Sequence, residues 1–98
     1  MRHRRYFIQS LITSGLPVPE RGGDLLVAAT EENDELDWEL IYRSGAHCRL
    51  RQEPYDLEMA GPEGTFVGPA ILVRSDGRSH VFRGVGTLDG FDPASFDD

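Results

Sequence analysis

Apolar and polar residues alternate along much of this chain with a period of two, which is typical of β-strands with one buried and one exposed face. The clearest stretch is 36–43. Its apolar positions are Leu36, Trp38, Leu40 and Tyr42, and its charged positions are Asp37, Glu39 and Arg43. The stretch 46–51 alternates in the same way. These two stretches predict a β-hairpin around the loop Arg43-Ser44-Gly45, because Gly45 suits the left-handed position that closes a three-residue loop.

The alternation also predicts a register for this central hairpin. On the apolar face the pairs are Tyr42 with Ala46, Leu40 with Cys48, and Trp38 with Leu50. On the other face Glu39 then lies opposite Arg49, and Asp37 opposite Arg51. Opposite charges on facing strands stabilise a pair of strands. The charges of this hairpin are therefore explained as cross-strand partners.

A second hairpin is predicted from 65–74 and 79–88, which flank the turn signal Asp76-Gly77. A two-residue turn there pairs Ile71 with Phe82 and Val73 with His80. Shorter strands are predicted at 24–30, an apolar run for which a short buried helix is the alternative, and at 55–59, where apolar and acidic residues alternate. Gly84 and Gly86 indicate a bend or the close approach of another group.

The N-terminal segment 4–13 fits two interpretations. Aromatic and β-branched residues favour a strand buried on both faces. The i, i+4 spacing of Phe7 and Leu11, with Gly15 and Pro17 after it, also fits a helix over about residues 4–14. We prefer the strand and keep the helix as the alternative.

Six to seven short strands separated by turn signals predict a mainly β domain, a small antiparallel barrel or sandwich. The alternative is an α+β fold that begins with the helix at about 4–14. A chain of 98 residues is long enough for one domain, 1–98, and too short for two cores. Residues 89–98 show no periodicity, and we expect a loosely docked tail held by Phe91 and Phe96.

Charge is unevenly distributed along the sequence. The net charge is −7, and residues 31–39 alone contain six acidic residues and no basic one. A nucleic-acid surface requires an excess of positive charge, so nucleic acid is excluded as the expected partner. The acidic run is instead compatible with a basic protein partner.

Chemistry-bearing residues form no recognisable constellation. The single cysteine, Cys48, excludes an internal disulfide and a cysteine metal site. The three histidines, His3, His47 and His80, lack metal-ligand spacing, and no nucleophile motif is present. We therefore predict no catalytic residue, no metal and no cofactor. No run reaches the roughly 18 apolar residues of a membrane helix, and no signal peptide is recognisable, so we expect no membrane partner and a cytoplasmic location.

Two sets of residues are candidate sites. The acidic residues before the central hairpin are the candidate partner-binding residues: Glu31, Glu32, Asp34 and Glu35. Five aromatic residues are candidate pocket residues: Trp38, Tyr42, Tyr55, Phe66 and Phe82. The function expected first is a non-enzymatic protein-binding module, of inhibitory or immunity type, that contacts a basic protein or a second copy of itself. The alternatives are a small-ligand-binding barrel or accessory domain, and a small enzyme.

Overall fold

Strands make up nearly all the regular structure of the computed structural model, which describes residues 2–29 and 36–96. They are β1 (Arg2–Ile8), β2 (Ser10–Thr13), β3 (Leu16–Pro17), β4 (Gly22–Ala29), β5 (Leu36–Arg43), β6 (Pro54–Gly61), β7 (Gly64–Ser75) and β8 (Ser79–Gly84). A short 3-10 helix, Pro93–Ser95, follows them. The mainly β prediction is confirmed, with eight strands instead of six to seven.

All the strands belong to one antiparallel sheet in the order β1-β4-β5-β8-β7-β6-β2-β3. The sheet is not closed into a barrel, and it is not a two-sheet sandwich. Only Gln9 separates β1 from β2, although β1 is the first strand in the order and β2 is the seventh of eight. The sheet must therefore curl until its two ends meet beside Gln9, whose N–H donates to the carbonyl of Ala60 at 2.7 Å.

The helix alternative at 4–14 is wrong, because this segment forms β1, β2 and the turn after them. Tyr6 and Ile8 point into the core, whereas Phe7 between them is 49% exposed. The strand therefore has one buried face rather than two. The turn at Ser14 and Gly15, both at positive φ, returns the chain to β3.

The prediction of the central hairpin is wrong about which strand pairs with β5. β5 forms as expected, but it pairs with β4 on one side and β8 on the other, and residues 44–53 are irregular. Glu39 lies opposite Leu26 and Arg83 rather than Arg49, and Asp37 lies opposite Ala28 rather than Arg51. β4 pairs with the whole of β5 and β8 pairs with 39–43, so no strand position beside 39–43 remains for the segment 46–51.

The second hairpin is confirmed as β7 and β8, but its register differs from the prediction. Leu72, not Ile71, pairs with Phe82, and a bulge follows between Leu72 and Arg74. The turn is longer than two residues because the Asp76 carboxylate accepts from the N–H groups of Arg78 and Ser79, at 2.9 and 2.7 Å. This side chain therefore shapes the connection between the strands.

The core lies on the inner face of the curled sheet. Its largest fully buried side chains include Tyr42, Phe82, Ile8, Leu11 and Leu40. Residues after β8 cover part of it, since Asp89 bridges to Val67 and Phe96 is only 9% exposed. Whether the tail docks loosely stays a prediction, and residues 97–98 lie outside the described part of the chain.

Candidate binding surface

The five aromatic pocket candidates lie together, but they lie in the packed interior. Tyr42 and Phe82 are fully buried, and Trp38 and Phe66 are each 3% exposed. Tyr55 is partly buried and packs edge-on against Phe82, with ring centroids 6.1 Å apart. A ligand that reached these rings would have to displace packed core side chains, which costs free energy.

The polar atoms of these aromatic residues are bonded to the backbone. The indole N–H of Trp38 donates to the carbonyl of Gly86 at 3.1 Å, and the hydroxyl of Tyr55 donates to the carbonyl of Arg51 at 2.8 Å. Burial is the main cause that raises the pKa of Tyr42 above its ordinary value. These partners anchor the aromatic residues within the fold.

The four acidic partner-binding candidates, Glu31, Glu32, Asp34 and Glu35, lie outside the described residues. The sheet positions that flank them are described, because Ala29 and Leu36 pair with each other at the end of β4 and β5. The acidic run continues into β5 as Asp37, which is exposed, and Glu39, which is half-buried. Both side chains point away from the core, since they alternate with buried Trp38 and Leu40.

Beside Asp37 and Glu39, a groove of about 600 Å³ crosses the outer face of β1, β4, β5 and β8. Its floor is β4, whose outer side chains there are Leu26 and Ala28. The strands on either side carry longer side chains at the same level. The groove therefore exists because small and apolar residues on the middle strand lie between two ridges of larger residues.

The two ridges carry opposite charges. On β1, His3 is paired with Ala28 and Arg5 with Leu26. On β5, Asp37 is paired with Ala28 and Glu39 with Leu26. Arg83 of β8 stands beyond Glu39, and the β5–β8 ladder does not extend to Asp37. Antiparallel strands are about 4.8 Å apart, so the ridges are about 10 Å apart.

Exposed apolar side chains lie in and beside this groove, which we call the β4 groove. Leu26 on its floor is 38% exposed, and Phe7, its diagonal neighbour on β1, is 49% exposed. A separate hollow of about 190 Å³ lies farther along the same strands, lined in part by Phe7, Asp24 and Ile41. Apolar surface of this kind, bordered by charged residues, is typical of contact sites.

One ion pair lies on the β1 side of the groove. The Nε atom of Arg5 is 3.0 Å from a carboxylate oxygen of Asp24, and these side chains are 71% and 37% exposed. An exposed pair of this kind contributes little to stability. Its partners can therefore exchange for those of an incoming molecule.

A second polar cluster lies at the opposite end of β5, where His80 and Ser44 are buried and Ser75 is exposed. The Nδ1 atom of His80 is 2.8 Å from the Ser75 hydroxyl, and its Nε2 atom is 3.2 Å from the Ser44 hydroxyl. Ser75 also accepts from the N–H of Gly77, and Ser44 also donates to the carbonyls of Gly77 and Arg78. A neutral imidazole that accepts at Nδ1 and donates from Nε2 satisfies all of these groups.

Within this histidine cluster Ser44 and His80 are 1% and 0% exposed, whereas Ser75 is exposed and lines a hollow of about 330 Å³ beside Asp76 and His47. The Asp76 carboxylate binds the backbone of its own turn, not the imidazole. Desolvation lowers the pKa of His80, which favours the neutral ring. The cluster ties the loop after β5 to the β7–β8 turn.

Within the described residues, no three histidine, cysteine or acidic side chains come together in a group that could hold a metal ion. No described helix has the length and apolar character required to cross a bilayer. Neither finding adds a second candidate site to the β4 groove.

The sequence did not reveal the β4 groove. The continuous apolar character of the run 24–30 predicts a strand and suggests burial on both of its faces. In the structure Leu25 and Val27 enter the core, whereas Leu26 lies on the outer face. The sequence feature that indicated part of this groove is the alternation of charge on 36–43, which shows that β5 has one solvent-facing side.

No family model, curated protein or solved structure matches this chain.

Proposed function

We propose that this chain is a non-enzymatic protein-binding module, of inhibitory or immunity type, that contacts a basic partner protein. The contact surface consists of the acidic residues between and at the start of the paired strands: Glu31, Glu32, Asp34, Glu35, Asp37 and Glu39. The observation that supports the proposal is the concentration of charge. Residues 31–39 carry six of the seventeen acidic residues of the chain and no basic residue.

The location of this charge supports the same interpretation. The connector joins β4 to β5 at the end of the sheet where Asp37 borders the β4 groove. Concentrated negative charge beside exposed apolar surface steers a basic protein by long-range attraction and then offers it a surface to bury.

A salt-titrated capture experiment tests this function. The immobilised chain is incubated with a lysate of the source organism, and the captured proteins are identified and quantified at rising salt concentration. We expect a basic protein to be retained at low salt. Its retention should fall about tenfold at about 1 M salt, because the Debye length is then only about 3 Å and the attraction between charges is screened.

The decisive variant replaces Glu31, Glu32 and Glu35 with Gln. The matched control replaces Glu53, Asp56 and Glu58 with Gln, Asn and Gln, which changes the net charge equally on an exposed stretch away from the groove. We expect the first variant to lose the basic partner and the control to keep it. Equal retention by both variants, or retention that is indifferent to salt, would contradict the proposed function.

We also propose a cytoplasmic location. With Cys48 as its single cysteine, the chain has no internal disulfide, and it folds around an apolar core without one.

A further inference from the structure

The β4 groove has an arrangement that restricts what can occupy it. Its floor at Leu26 and Ala28 is apolar, the β1 ridge carries Arg5 and the exposed His3, and the β5 ridge carries Asp37 and Glu39, with Arg83 of β8 beyond Glu39. An occupant that is complementary to all three surfaces must be apolar underneath, acidic on the side that faces β1 and basic on the side that faces β5.

The backbone of the occupant is restricted as well. The groove lies on the face of the sheet, where β1, β4 and β5 already use their backbone groups in ladders with one another. An extended segment placed there would bury backbone N–H and C=O groups without partners, which costs free energy. An α-helix satisfies its own backbone groups, and packing a helix against a sheet is a common way to cover an apolar face.

The dimensions agree with a helix. The ridges are about 10 Å apart, and a helix with its side chains is about 10–12 Å wide. The groove covers Leu26 to Ala28 of β4, a stretch of about 10 Å, which corresponds to about two turns of a helix.

We propose that the β4 groove receives an amphipathic α-helix of the partner protein. Its apolar stripe lies on Leu26 and Ala28, its acidic flank faces Arg5, and its basic flank faces Asp37 and Glu39. The basic flank faces Asp37 and Glu39, which continue the acidic run 31–39 along the sequence, so this inference rests on the proposed function and identifies the element that the acidic surface attracts.

The test uses two synthetic peptides of about 17 residues, because shorter isolated helices are only marginally stable in water. Both have the same composition and the same apolar stripe at positions i, i+3, i+4 and i+7. One carries Glu along one flank and Lys along the other, and its control has both residues mixed on each flank. Binding is measured by fluorescence anisotropy, and helix formation on binding by far-ultraviolet circular dichroism.

We expect the split-flank peptide to bind and become helical, and the mixed-flank control to bind several-fold more weakly. Leu26→Gln should weaken the binding of the split-flank peptide about tenfold, because it removes apolar area from the floor. Val73→Gln is the matched protein control. Val73 is 39% exposed, close to the 38% of Leu26, but it lies at the β7 bulge outside the groove. This variant should change the affinity less than about twofold.

Three outcomes would overturn the inference: no binding of either peptide, equal affinity for both, or equal losses in the two protein variants. If the acid-dependent capture of a basic protein persists in any of these cases, the proposed function stands without the helix. A dimer in sedimentation velocity that Leu26→Gln dissociates would also overturn it, because a second copy of the chain would then occupy the groove.

Discussion

At the scale of single residues, the position of Trp38 depends on the absence of side chains opposite it. A Cβ atom added to Gly84 would overlap the indole ring, and one added to Gly68 would lie 2.8 Å from its Cζ2 atom. Gly84 and Gly68 therefore provide the space for the ring of Trp38, which is only 3% exposed. The same indole lies beneath the β4 groove, whose lining includes Trp38 and Gly84.

Gly84→Ala is expected to destabilise the protein by about 1–3 kcal/mol, because the added methyl group overpacks the space beside Trp38. Urea denaturation followed by the fluorescence of this single tryptophan measures the loss. Gly86→Ala is the control, since its added Cβ would meet only the Pro69 ring, at 3.0 Å. Equal losses in the two variants would show that the contact with Trp38 is not the cause.

At the scale of elements, the same alternation can belong to a strand or to a loop. Within 44–53 Cys48 and Leu50 pack against the core, and Arg49 and Arg51 are exposed, as they would be in a strand. The segment nevertheless lies as a loop, held by the N–H of Cys48 on the carbonyl of Gly77 at 2.7 Å and by Ser44 on His80. These hydrogen bonds, rather than a β-ladder, therefore hold the segment in place.

This cluster predicts a pH dependence of stability. Burial lowers the pKa of His80 in the folded state below the ordinary value of 6.5. As the pH falls below about 6.5, the unfolded chain gains a proton that the folded chain does not, so the free energy of unfolding decreases until the folded pKa is reached. The Asp76 carboxylate opposes this lowering and His47 adds to it, although desolvation is the largest cause.

Urea denaturation at several pH values measures this dependence. His80→Gln should be less stable at neutral pH, because it breaks the cluster, and its stability should decrease less below about pH 6.5. Ring NMR signals of His80 that titrate near the ordinary value, with an unchanged pH profile in the variant, would refute the prediction.

At the scale of the whole molecule, the N-terminal segment joins the two ends of the sheet. β1 pairs with β4 at one end and β2 pairs with β6 near the other, with Gln9 between them. Gly61 stands against this crossing, since a Cβ atom there would overlap the carbonyl oxygen of Phe7. The curl of the sheet, and with it the shape of the outer face, therefore depends on a close backbone approach at this point.

Gln9→Pro should destabilise the protein by about 1–3 kcal/mol, because it removes the N–H that the carbonyl of Ala60 accepts. Gln9→Ala keeps this N–H and replaces an exposed side chain, so its effect should stay within about 0.5 kcal/mol. Thermal denaturation of both variants makes the comparison. A proline variant as stable as the alanine variant would show that the sheet ends do not depend on this hydrogen bond.

The local sequence pattern predicted part of the candidate site as well as part of the fold. The alternation on 36–43 correctly placed Trp38 and Tyr42 inside and Asp37 outside, because the side-chain direction in a strand depends only on its parity. The turn signal at Asp76-Gly77 likewise located the second hairpin. Its register was missed because the Asp76 side chain binds the turn backbone and a bulge follows Leu72.

What the sequence by itself determined is therefore the class of the fold, most strand positions and the inner or outer side of most residues, since these follow from propensity and period over a few neighbouring positions. Only the tertiary structure decided which strands are neighbours. β5 pairs with β4 and β8 rather than with 46–51, because the strand arrangement that buries the most apolar surface is the most stable one. The β4 groove exists only through that choice, which brings Arg5, Leu26 and Glu39 from three separate strands into one row.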